Sequence, residues 1–254
     1  MLVTINLQNN FITNQCVHSL INALSLNRTL KTLNLEGNNI SNEMAQRIAD
    51  YIQQTTPIVG LNFERNAIHE RKMQQLIHSL QNDTTLTTWD LQNKRIDKLA
   101  VRPIINALYN NTILTTLNLS NNGIHNKGGR MIVNILPYNQ TLLTINLQHN
   151  EIGDVVARRL AKSLERNSTL RNIDIGWNKI TDEGARYLAG ALRKNNSLLT
   201  VNLEHNKISS KGVQDLIKVF QDNQTLNMLN LSDNEITDED MINNIRMNFL
   251  RIQI

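Results

Sequence analysis

A strict 28-residue period runs through the chain and constrains its fold more than any other feature of the sequence. The segment from Leu30 to Ile40 reads LxxLxLxxNxI, and the same frame recurs without insertion or deletion. The frames begin at residues 2, 30, 58, 86, 114, 142, 170, 198 and 226, so nine repeats fill all but two of the 254 residues. A register kept over this length leaves no place for a linker, and we expect one domain spanning residues 1–254.

Within each repeat the hydrophobic pattern changes from that of a strand to that of a helix. We number the positions of a repeat as columns, with its first residue as column 1. Columns 4 and 6 are apolar throughout, which is the alternation of a short strand with one buried face. Columns 16, 19, 20 and 23 form a helical stripe, clearest in repeat 7 between Ala185 and Leu192. Asn or Asp at column 13, such as Asp154 and Asp182, predicts the N-cap of that helix.

A single unit of strand, turn and helix cannot bury its own apolar side, so the repeats must stack into a solenoid. The pattern resembles a leucine-rich repeat. Its 28-residue length and full helix are similar to the ribonuclease-inhibitor type, which also forms the sensor arm of nucleotide-binding immune receptors. The resemblance implies the α/β class: a right-handed β/α horseshoe with a parallel sheet on the concave face and helices on the convex face. The spacing agrees, because strands stack at ~4.8 Å and helices at ~8–10 Å.

Asparagine is over-represented, with 39 residues, and two columns account for much of the excess. Column 9 is Asn in every repeat except the fourth, where Lys94 stands. A carboxamide can both donate to and accept from backbone groups where the chain leaves the strand. We therefore expect a ladder of stacked Asn side chains, weakened at Lys94. Column 5 is Asn or Asp throughout and, with columns 3 and 7, should point outward from the inner sheet.

Charge is distributed unevenly between the two predicted faces. Columns 3, 5 and 7 contain no Lys or Arg, and their acidic residues are Glu36, Glu64, Asp90, Asp174 and Glu204. The net charge of +4 therefore lies elsewhere, much of it on the helices and returns of repeats 5 to 7. A groove for nucleic acid would need basic residues and aromatics on the concave face, so we predict no nucleic-acid partner. Solvated helix faces explain the cations, with a convex patch for an anionic partner as the alternative.

Column 8 holds the best candidates for a binding hot spot. His149, Trp177 and His205 occupy it in three successive repeats and should line up along the rim of the concave face. A Trp on a polar surface is typical of an interface anchor. The alternative is that Trp177 folds back over the turn as packing. Two imidazoles roughly 10 Å apart, from the strand spacing, do not make a metal site, so we predict no bound metal.

Several functional classes lack their sequence signals. The chain has no Gly-rich phosphate loop, no HExxH and no Cys–His pair in a catalytic frame, which predicts a non-enzymatic protein without a cofactor. No run approaches the ~20 apolar residues of a membrane span, so we predict no membrane partner. A single cysteine, Cys16, excludes an intrachain disulfide framework. With no secretory signal after Met1, this favours a cytoplasmic location.

The leading interpretation is a protein-binding or scaffold module. Its acidic, polar concave face and the rim of His149, Trp177 and His205 would engage a partner with a basic or polar surface. One alternative is the ligand-sensing arm of a larger immune-receptor-like protein. A second is a small-GTPase activator of the leucine-rich type, against which the uniform repeats argue. Repeat 9 is atypical, because its apolar stripe shifts to residues such as Ile245. The uncapped first repeat predicts a longer chain or end-to-end association.

Overall fold

The computed structural model describes residues 3–27, 29–55, 58–63, 85–94, 96 and 101–254. The chain divides into two compact halves, an N-terminal half, Met1–Asn122, and a C-terminal half, Gly123–Ile254. Predictions that concern Glu64, or the Asn66 position of the Asn ladder, lie outside the described residues. The prediction of a single domain across residues 1–254 stays a prediction.

The N-terminal half alternates short strands with helices in step with the repeat. Its strands are β1 Thr4–Asn6, β2 Thr32–Asn34, β3 Gly60–Asn62, β4 Thr88–Asp90 and β5 Thr116–Asn118. Its helices are α1 Asn14–Ser25, α2 Asn42–Thr55 and α3 Val101–Asn110. Neighbouring strands pair in parallel with partners 28 positions apart, as in Ile5 with Leu33. The sheet register is therefore the register of the sequence repeat.

The C-terminal half follows the same plan. Its strands are β6 Thr144–Asn146, β7 Asn172–Asp174, β8 Thr200–Asn202, β9 Met228–Asn230 and β10 Ile252–Gln253. Its helices are α4 His125–Val133, α5 Asp154–Leu164, α6 Asp182–Leu192, α7 Ser210–Ile217, α8 Val219–Asp222 and α9 Glu239–Asn248. These strands also pair in parallel in chain order. The α/β solenoid class predicted from the repeat is confirmed.

The core of each half lies between the strands and the helices. The middle residue of a strand, column 4, is buried, whereas its two neighbours are partly exposed. Trp89 fills that position in repeat 4 and is 2% exposed. On the helical side, α6 buries Ala185, Leu188, Ala189 and Leu192, which is the predicted stripe. Each repeat therefore leaves columns 3 and 5 on the open surface of its sheet.

The atypical last repeat ends in a strand that the sequence pattern did not predict. The helix α9 buries Ile245, in agreement with the shifted apolar stripe. The chain then returns early, because Ile252 pairs with Leu229 at a separation shorter than the 28-residue period. Ile252 is 7% exposed, so this short strand β10 covers the edge of β9 with a buried apolar side chain.

The predicted Asn ladder of column 9 is confirmed, and Asn38 shows its geometry. The Asn38 Oδ1 accepts from the backbone N–H groups of Asn10 and Ile12, at 3.0 and 2.9 Å. Its Nδ2 donates to the carbonyls of Leu7 and Leu35, at 2.9 and 2.8 Å. The same carbonyl contacts, reaching into the preceding repeat, recur at Asn122, Asn178, Asn206 and Asn234. At the interruption, Lys94 is only 7% exposed, so its stem is packed inside the protein and does not reach into solvent.

The prediction that column 13 caps its own helix is confirmed in repeat 9, where Asp238 is the N-cap of α9 and accepts from the N–H of Met241, and is wrong in repeats 1, 6 and 7. Thr181, at column 12, is the N-cap of α6, and its Oγ1 accepts from the N–H of Glu183. Asp154 of the preceding repeat accepts from the N–H groups of Thr181 and Gly184, at 2.8 and 3.1 Å. In repeat 7 the helix begins one position earlier than expected because the column-12 hydroxyl caps it locally, whereas the N-cap of repeat 6 is Gly153, without a side-chain cap. The column-13 carboxylate is then free to stabilise the N-terminus of the next helix.

Candidate functional site

The backbone at column 8 adopts the left-handed conformation in both halves, because the chain turns sharply as it leaves each strand. Positive φ angles occur at Asn9, Gly37, Asn93, Asn121, His149, Trp177, His205 and Asp233. Gly, Asn and Asp tolerate this region, whereas a bulky residue there is a genuine outlier. Trp177 has φ of 52° and is therefore held in a costly conformation. Local strain of this kind is a reason to look for function at the same residue.

The side chains of His149, Trp177, His205 and Asp233 form a continuous row along the C-terminal half, which we call the rim stack. The ring centroids of His149 and Trp177 lie 4.6 Å apart, with 23° between the ring planes. Those of Trp177 and His205 lie 3.5 Å apart at 24°. The His205 Nε2 is 3.4 Å from Asp233 Oδ2. The structure thus brings together the three predicted residues and adds a carboxylate at one end.

The rim stack is accessible to a partner. Trp177 is 39% exposed, although it is sandwiched between two imidazoles. The His205 side chain is 38% exposed and that of Asp233 60%. Sequence reasoning missed Asp233 as a site residue, yet the signal was present, because it follows His205 in the same column of the next repeat. The Trp177 indole is therefore not buried in the core, although both of its faces contact the imidazole rings of His149 and His205.

The aspartates on the open sheet surface make hydrogen bonds that stabilise the fold, in addition to making that surface acidic. Asp174 Oδ1 accepts from the N–H of Gly176 at 2.9 Å and from Nδ2 of Asn202 at 3.1 Å. In the N-terminal half, Asp90 Oδ1 accepts from Gln92 N–H at 3.2 Å and Asn118 Nδ2 at 3.0 Å. The contacts from Gly176 and Gln92 form Asx turns, in which a side-chain oxygen two residues earlier holds the backbone, and those from Asn202 and Asn118 come from the next repeat. Column 5 is therefore restricted to Asn and Asp by the turn as well as by its exposed position.

The two predicted glutamates that the structure describes lie in different halves. Glu204 is next to His205, and its Oε2 accepts from Asn230 Nδ2 at 3.3 Å. Glu36 belongs to the N-terminal half, where its N–H donates to Asn34 Oδ1 at 3.0 Å. Among the predicted acidic residues that the structure describes, Glu204 has its carboxylate within 4.8 Å of donor atoms of His205 and Asp233.

One group of side chains beside the rim stack has the spacing of cation ligands. Donor atoms of Glu204, His205 and Asp233 all lie within 4.8 Å of one another. One imidazole and two carboxylates are a chemically reasonable set for a divalent ion. The same side chains also make the ion pair with His205 and the hydrogen bond from Asn230, which account for their positions without an ion. The prediction of no metal site stays a prediction.

A second electrostatic feature lies two positions after the rim stack in the repeat. Lys179 Nζ donates to Glu151 Oε2 at 2.7 Å, and His125 Nδ1 lies 3.7 Å from the same oxygen. The hydrogen bond from Lys179, reinforced by its charge and by that of His125, lowers the pKa of Glu151. Because all of these side chains are largely exposed, the pairing orients the surface more than it stabilises the fold.

Comparison with known proteins identifies the repeat. The family model described as "Leucine Rich repeat" matches residues 26–49, 110–133, 138–161, 166–189, 194–216 and 222–243. A search of curated protein sequences finds no match. Among the described residues, no helix combines the length and apolar character needed to cross a bilayer.

Two solved structures resemble the chain at low sequence identity. One is titled as the tropomodulin C-terminal domain of Caenorhabditis elegans, at 19% identity and a TM-score of 0.51, covering 59% of this chain and 91% of that one. Another is titled Leiomodin-1 Actin-Binding Site 2, at 20% identity and a TM-score of 0.45, covering 64% of this chain and 78% of that one. At these identities the first likeness bears on the fold alone, and the second is too weak to carry an argument.

Proposed function

Because the chain belongs to the leucine-rich repeat family, we propose that it is a non-enzymatic protein-binding module. The rim stack of the C-terminal half is its principal contact with a partner, with Trp177 as the anchor. The observation that carries this proposal is an exposed indole, stacked on both faces, on a backbone that disfavours it. Anchors of this kind are pre-organised, so little side-chain entropy is lost when a partner binds.

The energetics of Trp177 support a binding role over a structural one. A left-handed conformation costs a residue other than Gly about 1–2 kcal/mol. Each aromatic contact is worth about 0.5–1.5 kcal/mol, so the two ring stacks approximately offset that strain. The fold therefore gains little from an indole at this position. Gly37 occupies the same column in repeat 2 with φ of 64°, which is an unstrained alternative.

The charge around the rim stack indicates the kind of partner. Asp174, Glu204 and Asp233 place carboxylates on or beside it, and columns 3, 5 and 7 contain no Lys or Arg. A basic or polar protein surface would complement this arrangement, and charge attraction would act mainly on the association rate. The predicted contributions of Glu36, Glu64 and Asp90 stay predictions for the N-terminal half.

The alternative functions and the cellular location predicted from the sequence are proposals as well. The ribonuclease-inhibitor subtype, the sensing arm of an immune-receptor-like protein and the GTPase activator each need an observation beyond the repeat itself. The same holds for the cytoplasmic location, and for the expectation of neither nucleic acid nor membrane among the partners. The actin-binding title of one structural neighbour describes that neighbour, and nothing in the rim stack selects actin as the ligand here.

The decisive experiment replaces Trp177 by Gly, because this change removes the anchor and relieves the backbone strain together. The immobilised 254-residue chain is used to capture proteins, and the dissociation constant of each captured protein is then measured. We expect Trp177→Gly to weaken binding at least tenfold, which corresponds to about 1.4 kcal/mol. The free energy of unfolding, from urea denaturation, should stay within about 1 kcal/mol of the wild-type value because strain and stacking offset each other.

The matched control is Tyr138→Ala, which removes another exposed ring from the C-terminal half. Tyr138 is 66% exposed and lies on the return from helix to strand, away from column 8. This control should bind every captured protein as the wild type does. If Trp177→Gly is stable and still binds with wild-type affinity, the rim stack is not the contact surface.

A further inference from the structure

Four cationic side chains, three of them exposed, line an open surface cavity on the helical side of the C-terminal half. The cavity has a volume of about 250 Å³ and is lined by Arg130 of α4 and by Val155, Arg158, Arg159 and Lys162 of α5. We call it the basic cavity. It lies on the helices, whereas the rim stack follows the strands, so the proposed protein-binding role does not use it.

No carboxylate in the described part of the chain neutralises these four cations. Within residues 101–254, which the structure describes without a gap, no ion pair joins any of the four to an acidic group. By contrast, Arg193 pairs with Asp222 and Lys218 with Asp215. The acid at the start of α5, Asp154, is engaged by the N-terminus of α6.

The positive side chains of the basic cavity repel one another, and the fold does not require positive charge at all of these positions. Arg158 and Lys162 are four residues apart on α5, where like charges repel each other across a helix turn. An uncharged residue is accepted at the position of Arg158 in other repeats, because this position, column 17, is Gln46 in repeat 2 and Gln214 in repeat 8. Column 17 is Arg in repeats 4 to 7, at Arg102, Arg130, Arg158 and Arg186, and the last three place positive charge on successive helices of the C-terminal half. An anion in the cavity would remove the repulsion.

One of the guanidinium groups is already oriented. The Arg158 Cζ lies 5.3 Å from the centre of the Tyr187 ring, and Arg186 Cζ lies 5.4 Å from the same ring. Contact with an aromatic face is favourable for Arg and restricts its motion. A restricted guanidinium loses less entropy when it binds a ligand, and its planar fork matches the oxygens of a phosphate group.

We propose that the basic cavity binds a small anion with two or more closely spaced phosphate groups. The four positive charges match such a polyanion better than a single carboxylate or orthophosphate. The volume is below the ~300–1,000 Å³ of pockets that enclose drug-sized ligands, which fits a polyphosphate group better than a larger organic molecule. A free polyphosphate and the head group of a phosphorylated lipid share this chemistry.

The test is calorimetric titration of the 254-residue chain with inorganic tripolyphosphate at low ionic strength. We expect Arg158→Gln/Lys162→Gln to bind at least tenfold more weakly than the wild type, because two charge-assisted contacts are lost. The control Arg166→Gln/Lys194→Gln removes the same charge from exposed positions outside the cavity, and its affinity should stay within about twofold of the wild-type value. Arg158→Lys keeps the charge and should bind with intermediate affinity.

Each outcome decides the matter. If the two double variants lose affinity equally, the attraction belongs to the net charge and the cavity is not a site. If the wild type binds orthophosphate as tightly as tripolyphosphate, the preference for adjacent phosphates is wrong.

Vesicles that contain a bisphosphorylated inositol lipid form the second arm of the test. If the chain binds these vesicles and tripolyphosphate competes with that binding, the lipid head group is identified as a source of the ligand. Binding to vesicles without binding to tripolyphosphate overturns the proposal. The Trp177→Gly variant should bind tripolyphosphate normally, which separates this site from the rim stack.

Discussion

Replacing Asn178 by Ala tests whether the column-9 ladder holds the solenoid together. Asn178 is 8% exposed, and its Oδ1 accepts from the N–H groups of Asn150 and Ile152, each at 3.0 Å. Its Nδ2 donates to three carbonyls, of Leu147, Ile175 and Gly176. Alanine keeps the backbone and removes all five of these hydrogen bonds.

The loss of stability depends on which hydrogen-bond partners of Asn178 keep another partner after its side chain is removed. The Ile175 carbonyl also accepts from Asn206 Nδ2 at 3.0 Å, and the Gly176 carbonyl from His149 N–H at 3.2 Å. The carbonyls therefore keep a donor, whereas the two buried N–H groups lose the acceptor that Asn178 provides. An unsatisfied buried group costs about 1–3 kcal/mol, so we expect a loss of about 2–6 kcal/mol in the free energy of unfolding. This is a large part of the 5–15 kcal/mol that typically stabilises a protein.

Urea denaturation followed by far-UV circular dichroism and by tryptophan fluorescence measures the loss. Two probes are needed because repeat proteins do not always unfold in one step. The control is Asn196→Ala, an exposed Asn on the return between α6 and β8, which should change stability by less than about 0.5 kcal/mol. If Asn178→Ala is no less stable than this control, then the ladder carries no stability and the reasoning from unsatisfied N–H groups is wrong.

Two further substitutions test the ladder and the charged pair beside the rim stack. Lys94→Asn supplies the amide acceptor that an ammonium lacks, and we expect it to raise the free energy of unfolding by about 1 kcal/mol; a loss of stability would show that the Lys94 stem is needed for packing. Lys179→Met removes the hydrogen bond that lowers the pKa of Glu151, so that pKa should rise toward its ordinary value of 4.5 in an NMR titration of the carboxyl group. In the wild type the pair favours the fold above that value, and its contribution is lost as the pH falls through the lowered pKa; a titration midpoint unchanged by Lys179→Met would remove the assigned cause.

The architecture could be predicted because the same hydrophobic pattern of strand and helix recurs in nine repeats. Strand, helix and sheet register follow from the period, since residues 28 positions apart must be neighbours in a stack. The ladder of Asn38 and Asn178 could also be predicted, because a carboxamide is the side chain that both donates and accepts. What the pattern left open was a local choice of one position. Thr181 rather than Asp182 caps α6, and only the side-chain geometry separates the two.

A second set of buried Asn side chains lies where helices return to the next strand. Asn195 begins an Asn-x-Ser triplet, but it is 4% exposed, and its Nδ2 donates to the carbonyls of Leu164 and Asn167. Its Oδ1 accepts from the N–H groups of Ser197 and Leu198, each at 2.9 Å. The carboxamide ties the end of a helix to the start of the next strand. Its burial in the folded chain also makes it a poor acceptor for a glycan.

The regularity of the chain is also what makes its exceptions informative. In a stack of repeats each column samples one environment nine times, so the range of residues that the environment tolerates can be seen within a single sequence. Column 11 is Ile throughout because the core dictates it. Column 8 accepts Asn, Gly and Asp without strain, so the fold did not require Trp177 there, and column 17 accepts Gln, so the fold did not require Arg158. Residues that the shared environment does not require are the places to look for a partner or a ligand that accounts for the choice. That reasoning leads to the rim stack and the basic cavity independently, and the two are testable without reference to each other.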